Sequence, residues 1–207
     1  MANDMTALEQ RTDMLGRQRG TSPSLPLGRR SPRGRLRWYL VACPEGHEQD
    51  SCDRVRAIVP TDLLEDAFVP RAERWGKFAA GWSVRTVELF KGYFVVATKD
   101  ATGLSRALER LTFPVRMAGA VGRGYAPIAT EAQEFLSSSM DDSHVIRTSE
   151  AEIVAGKLRV YEGPLVGQER RVAKVNRHKR LASVRVCGEG DDFSVLLPLG
   201  VPVRRGE

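Results

Sequence analysis

The last quarter of the chain does most to limit the fold. From Lys157 onward the sequence runs in short stretches, KLRVYEG, ERRVAKVN, LASVRVC, FSVLLPL and VPVRR, in which apolar and polar residues alternate. A period of two puts one set of side chains on each face of a strand, and no helix can use it. Turn residues separate the stretches, with Gly163-Pro164 and Gly167 inside the first connection. Gly163 and Gly167 flank a tight turn, where a positive φ costs little only for glycine. The pattern predicts a small barrel of short strands over residues 153–207.

Charge is uneven along that module. Arg170, Arg171, Lys174, Arg177, Lys179 and Arg180 fall within eleven positions that hold no acid. The strands RRVAKV and LASVRV meet around them, so NRHKR forms the tip of a hairpin. A charge run is often just a solvated face. Here it includes Asn176 and His178, which can hydrogen-bond bases as well as phosphates, and it caps a module too small to enclose a substrate. A projecting cationic loop on a rigid support suits a phosphate backbone or a groove, so the expectation is a nucleic-acid contact, with RNA preferred.

The remaining chain divides by composition. Residues 153–207 carry eleven basic and six acidic groups, 137–152 one and four, 35–136 fourteen and thirteen, and 1–34 six and three. Residues 1–34 end in TSPSLPLGRRSPRGR, too poor in apolar residues to offset chain entropy, and are expected to be a disordered basic tail. Residues 137–152 are polar and acidic and are expected to be a flexible linker. Between them, RWYLVAC reads as a strand and EGHEQDSCDRVRAIV as a helix with one buried face. AFVPRAERW is extended and interrupted at Pro70, KFAAG is loop-like, and WSVRTVELF and KGYFVVAT are strands. A second helix is expected over SRALERLTF with Ser105 as its N-cap. After the glycine-rich connector AGAVGRGYAP comes a third helix, TEAQEFLSSS, with Thr130 and Gln133 as a capping box. The fold class is α+β, with helices on one face of an antiparallel sheet and a small all-β barrel behind it. That one-sided cover leaves some of Phe90, Tyr93 and Val95 exposed as an apolar patch, the mark of a protein-binding surface.

Little in the sequence points to catalysis. His47, His144 and His178 are far apart. Cys43, His47 and Cys52 are close, but their spacing fits no structural zinc pattern and lacks a fourth ligand. RMAGAVGRG lacks the Lys-Ser/Thr of a phosphate-binding loop and opens no helix. Neither a metal nor a cofactor is expected. An odd number of cysteines, no apolar leader and no run of ~20 apolar residues imply a cytoplasmic protein.

Several stretches resemble, in order, the NusG family of transcription elongation factors. They are WYLV, AFVP, LFKGYFVV, Pro127-Ile128 before TEAQEFL, and GPLVGQERRVAKVNRHKR, and they span about Arg37 to Val203. Within the family the tip NRHKRLA is most similar to the LoaP-type antiterminators. The resemblance implies an N-terminal NusG (NGN) domain over 35–136. It also implies a C-terminal SH3-like KOW domain over 153–207, with Gly167 as its marker glycine.

By the same motif match, Phe90, Tyr93 and Val95 would meet the clamp helices of the largest catalytic subunit of RNA polymerase. A LoaP-like KOW domain would bind a nascent RNA hairpin, through Arg170, Lys174, Asn176, Arg177, His178, Lys179 and Arg180. DNA in the elongation complex is a further possible contact, and a monomer is implied. Two departures stand out. Lys91 replaces the family's proline before Gly92, and CGEGDDFSVLLP replaces the usual end of the barrel, which removes the basis for carrying over contacts to Rho or ribosomal protein S10. A general elongation factor and a free-standing KOW RNA-binding protein remain the alternatives.

Overall fold

The computed structural model describes residues 35–78, 81–187 and 193–202. The tail 1–34, residues 188–192 of the CGEGDDFSVLLP stretch and the end of VPVRR lie outside the described residues. The fold is mixed α/β, with three helices among the described residues and several small sheets.

The first sheet has the order β2-β5-β1-β6, from Asp66–Phe68, Tyr93–Thr98, Arg37–Ala42 and Arg116–Met117, with every pair antiparallel. Alternation sorts its side chains between two cores. Tyr39, Val41, Phe94 and Val96 pack with Cys52 and Val55 of α1 (Glu48–Ile58) and Leu104 and Leu108 of α2 (Ala101–Leu108). Leu40, Phe68 and Val95 face the other way, where α3 (Thr130–Ser139) supplies Ala132, Phe135 and Leu136. The helices therefore cover both faces, not one. The amphipathic faces of α1 and α2 satisfy only half of a sheet whose strands are apolar on both sides, and α3 takes the rest.

Both expected caps differ in detail. Helix α2 starts at Ala101, and Asp100 caps it by accepting from the Gly103 amide at 2.9 Å. Ser105 is buried inside the helix, 2.7 Å from the Tyr125 hydroxyl. Thr130 and Gln133 form no capping box. Thr130 Oγ1 accepts from Arg37 Nη1 at 2.6 Å, and Gln133 Oε1 accepts from the Trp38 amide at 3.4 Å. These side chains tie α3 to β1 instead of closing its own first turn. Within the glycine-rich connector, Ala120–Val121 (β7) and Gly124–Tyr125 (β8) form a small hairpin.

A long ribbon, β3 (Arg71–Phe78) with β4 (Gly81–Glu88), belongs to a separate sheet and pairs along its whole length. Next to it, the expected linker is ordered. Val145–Ile146 (β9) runs parallel to β3, and Ser149–Val154 (β10) is a full strand of the C-terminal sheet. Polar composition concealed this because Asp141, Thr148 and Ser149 of the segment are spent on hydrogen bonds within the fold. Glu73 accepts from the Thr148 amide and hydroxyl at 2.8 and 2.7 Å, and Arg147 joins Glu73 to Asp141.

The C-terminal sheet has the order β11-β10-β14-β13-β12, where β11 is Lys157–Glu162, β12 Val172–Asn176, β13 Leu181–Arg185 and β14 Ser194–Gly200. It contains five strands, as expected, but β10 comes from the presumed linker and VPVRR contributes none within the described residues. Nor do the described residues show pairing that closes into a barrel. Consecutive strands β11 and β12 sit at opposite edges, joined by the Gly163–Gly167 loop and a 3-10 turn, Glu169–Arg171. Leu165 on that loop is fully buried, which is worth about 2 kcal/mol for such a side chain. Leu165 packs into the same core as Val160, Val184 and Leu197 of the sheet, and its amide donates to Ser149 Oγ at 3.1 Å.

Candidate nucleic-acid interface

The hairpin forms where the charge pattern placed it. Strands β12 and β13 pair from Asn176↔Leu181 back to Val172↔Val184, leaving Arg177, His178, Lys179 and Arg180 as a four-residue loop. Lys174, Asn176, Arg177, His178 and Lys179 are all exposed. Asn176 has a structural duty as well. Its Oδ1 accepts from the Lys179 amide at 3.0 Å, folding the loop over itself and leaving its NH₂ as the group it can offer. The loop closes with the Arg180 amide donating to Arg177 O at 3.2 Å.

Two of the arginines behave otherwise. Arg180 is half-buried with φ 51°, and its guanidinium lies 4.4 Å from the centroid of the Trp75 ring on β3. Left-handed backbone is costly for any residue with a Cβ, so the stacking helps to hold a conformation that the loop requires. Arg170 is exposed but belongs to the 3-10 turn, at the far end of β12. Five residues of strand put it about 16 Å from the tip. The structure therefore brings Lys174, Asn176, Arg177, His178 and Lys179 together, keeps Arg180 against the ribbon and leaves Arg170 apart. Arg171, its neighbour in sequence, turns inward. It donates to Val186 O and pairs with Glu131 on α3, both at 2.9 Å.

Sequence reasoning missed the ribbon as the support for this tip. Arg74 donates to Leu196 O on β14 at 3.3 Å and stands directly opposite Arg85 in the ladder. Burial, with Arg85 adding to it, lowers the Arg74 pKa. Alternating charge in RAERWGKF was the available signal, but a ribbon's partner is not written in its period.

The proposed polymerase patch is not an exposed patch here. Phe90 is 3% exposed, Val95 is fully buried, and Tyr93 is half-buried. All three belong to or pack against the cluster of Leu40, Phe135 and Leu136, which continues into Val160 and Leu197 of the C-terminal sheet and Leu165 of its connecting loop. The physical reason is the cover on the second face of the first sheet. The turn before β5 is well formed despite Lys91: the Tyr93 amide donates to Phe90 O at 3.2 Å, and Gly92 takes φ 75°. Lys91 occupies the position where proline is common in such turns and pairs with Glu45 at 3.0 Å.

Burial pushes the Cys52 thiol up to about 12, and burial with the nearby Glu48 pushes Cys43 up to about 11. Neither is a thiolate near neutral pH. Among the described residues no group of three or more His, Cys, Asp or Glu side chains is placed to hold a metal ion.

Comparison with solved structures finds a likeness to NusG of Thermotoga maritima, from a study of domain interaction in that protein. The identity is 14% and the TM-score 0.43, over 80% of this chain and 94% of that one. No protein-family model matches the chain, and no curated protein does.

Proposed function

We propose that this chain is a non-catalytic transcription factor of the antiterminator type, acting in the cytoplasm. Residues 35–136 bind RNA polymerase at its clamp helices, and the β12–β13 tip binds a hairpin in the nascent RNA. The exposed tip carries this reading: three cations, a histidine and an asparagine on a loop braced from within by Asn176 and from outside by Trp75. The ordered NusG-like stretches of the sequence support the polymerase half. Binding the elongating polymerase better than the terminating one shifts the balance toward continued synthesis. In this arrangement Tyr93 is the member of its trio with surface to offer, while Phe90 and Val95 hold it in place.

The test is co-sedimentation of the full chain with bacterial core RNA polymerase, with and without Tyr93→Ala. Saturable binding that Tyr93→Ala weakens, with the melting temperature unchanged, supports the reading. The burial of Phe90 and Val95 favours a second reading, a free-standing RNA-binding protein in which these residues are core. RNA binding without any polymerase binding would select it.

A further inference from the structure

The β3–β4 ribbon sorts its charges by face. Side chains directly opposite each other in an antiparallel ladder share a face, and the face alternates along each strand. The register Arg71↔Glu88, Glu73↔Thr86 and Trp75↔Val84 therefore puts both acids of the ribbon on the face that carries Trp75 and holds Arg180. The other face has Ala72↔Val87, Arg74↔Arg85 and Gly76↔Ser83, with two arginines, one hydroxyl and no acid. We propose that Arg74 and Arg85 form a second phosphate site, which grips the backbone of the RNA hairpin bound at the β12–β13 tip. The inference rests on the RNA-binding reading of the tip and extends the bound surface onto the ribbon.

Three observations lead to it. First, the pair costs the fold something. Like charges directly opposite each other destabilise a ladder, and arginine stays charged at any ordinary pH. Among the described residues neither guanidinium is in an ion pair. An anion between them turns one repulsion into two attractions, and phosphate oxygens fit the arginine fork.

Second, the pair is open to an anion. Arg85 is exposed and Arg74 half-buried. The next rung on this face, Gly76↔Ser83, raises no bulky side chain beside them, and Ser83 is exposed. A serine hydroxyl is a common further donor to a phosphate oxygen.

Third, the pair lies in line with the tip. Lys174, Ser183 and Leu196 stand side by side on β12, β13 and β14 and share a face. Two strand spacings, roughly 10 Å, separate Lys174 from Leu196. Arg74 then reaches the same residue from the ribbon, with Nη2 3.3 Å from Leu196 O. No acid stands on that row, and the Leu196 side chain is exposed. A phosphate backbone anchored at Lys174 crosses Ser183 and Leu196 to arrive at the two arginines.

The experiment titrates the full chain with a labelled stem-loop RNA over a range of salt concentrations. The variants are Arg85→Gln, Arg85→Glu, Lys174→Ala and Arg106→Gln. Arg106 is an exposed cation on α2, which packs on the other face of the first sheet, so its loss removes the same charge elsewhere. Arg85→Gln should bind about 10-fold more weakly, the loss of one charge-assisted contact. Its slope of log K against log salt should fall by ~0.7–0.9, while Arg106→Gln matches the wild type. Arg85→Glu should bind more weakly still and yet melt at a higher temperature, because it faces Arg74 with an opposite charge. Arg85→Gln indistinguishable from the wild type would overturn the second site, and Lys174→Ala, measured alongside, shows whether the tip reading stands. Equal weakening by Arg85→Gln and Arg106→Gln would overturn it too, as an effect of net charge alone. If the wild type binds no stem-loop at any salt concentration, the RNA-binding reading itself fails, and the inference falls with it.

Discussion

The guanidinium of Arg180 lies over the indole of Trp75, 4.4 Å from the ring centroid, and so joins the β12–β13 tip to the β3–β4 ribbon. The two residues are more than a hundred positions apart in sequence. A half-buried contact of this kind is worth about 0.5–2 kcal/mol. A double-mutant cycle with Trp75→Ala and Arg180→Ala, followed by urea denaturation, isolates it from the other contacts of each residue. A coupling of about 1 kcal/mol is expected; additive effects would show that the contact contributes nothing.

The two glycines of the connecting loop have different reasons to be there. A Cβ on Gly163, at φ 90°, would sit 2.7 Å from Ser149 Cα and 2.8 Å from Thr148 O, both backbone atoms. One on Gly167, at φ 75°, would meet nothing within 4 Å. Gly167→Ala should cost about 1 kcal/mol from conformation alone. Gly163→Ala should cost about 3 kcal/mol or more, because β10 must move. Chemical denaturation of both variants checks the order, and equal costs would contradict the steric argument.

Acid should destabilise the fold in two steps. Burial raises the Glu73 carboxyl, but hydrogen bonds from Thr148 and Arg147 outweigh it and hold it below its ordinary 4.5. The Val145 amide, together with Arg147 and the Ser143 amide, holds Asp141 below 3.8. Burial lowers His144, stacked 4.0 Å from Phe68, below 6.5. A group with a depressed folded pKa adds stability that is present above its unfolded value and lost as pH falls through the folded one. Melting temperature should therefore decline below about pH 6.5 through His144, and again below about pH 4 through Glu73 and Asp141. His144→Asn, which tolerates the φ of 56° at this position, should remove the first step. Glu73→Gln should shrink the second. A wild-type profile that is flat from pH 7 to 5 would contradict the His144 assignment.

What could be read from sequence follows from how local each signal is. The β1, α1, β5 and β12–β13 elements carry their period within a few residues, and the structure has them where the period put them. Strand β10 escaped notice because its stretch is polar and acidic: most of it pairs with its neighbour β11 across the Ala155-Gly156 turn, and only Ser149 and Glu150 reach distant Leu199 and Gly200. The N-cap of α2 was misplaced because both Asp100 and Ser105 are good caps, and only tertiary contact with Tyr125 draws Ser105 inside. For the site, charge density located the tip, but only the fold separates Arg180 on Trp75 and Arg170 at the far end of β12 from the exposed residues of the tip. Exposure of Phe90 and Val95 was a statement about α3, which their own stretch of sequence does not contain.

The most direct measurement is the salt dependence of binding to a labelled stem-loop RNA, for the wild type and for Lys174→Ala/Arg177→Ala/Lys179→Ala. If the tip tracks the phosphate backbone, each cation removed should lower the slope of log K against log salt by ~0.7–0.9, about 2–3 in all. An unchanged slope, with the triple variant still folded, would place the RNA elsewhere or nowhere on this protein.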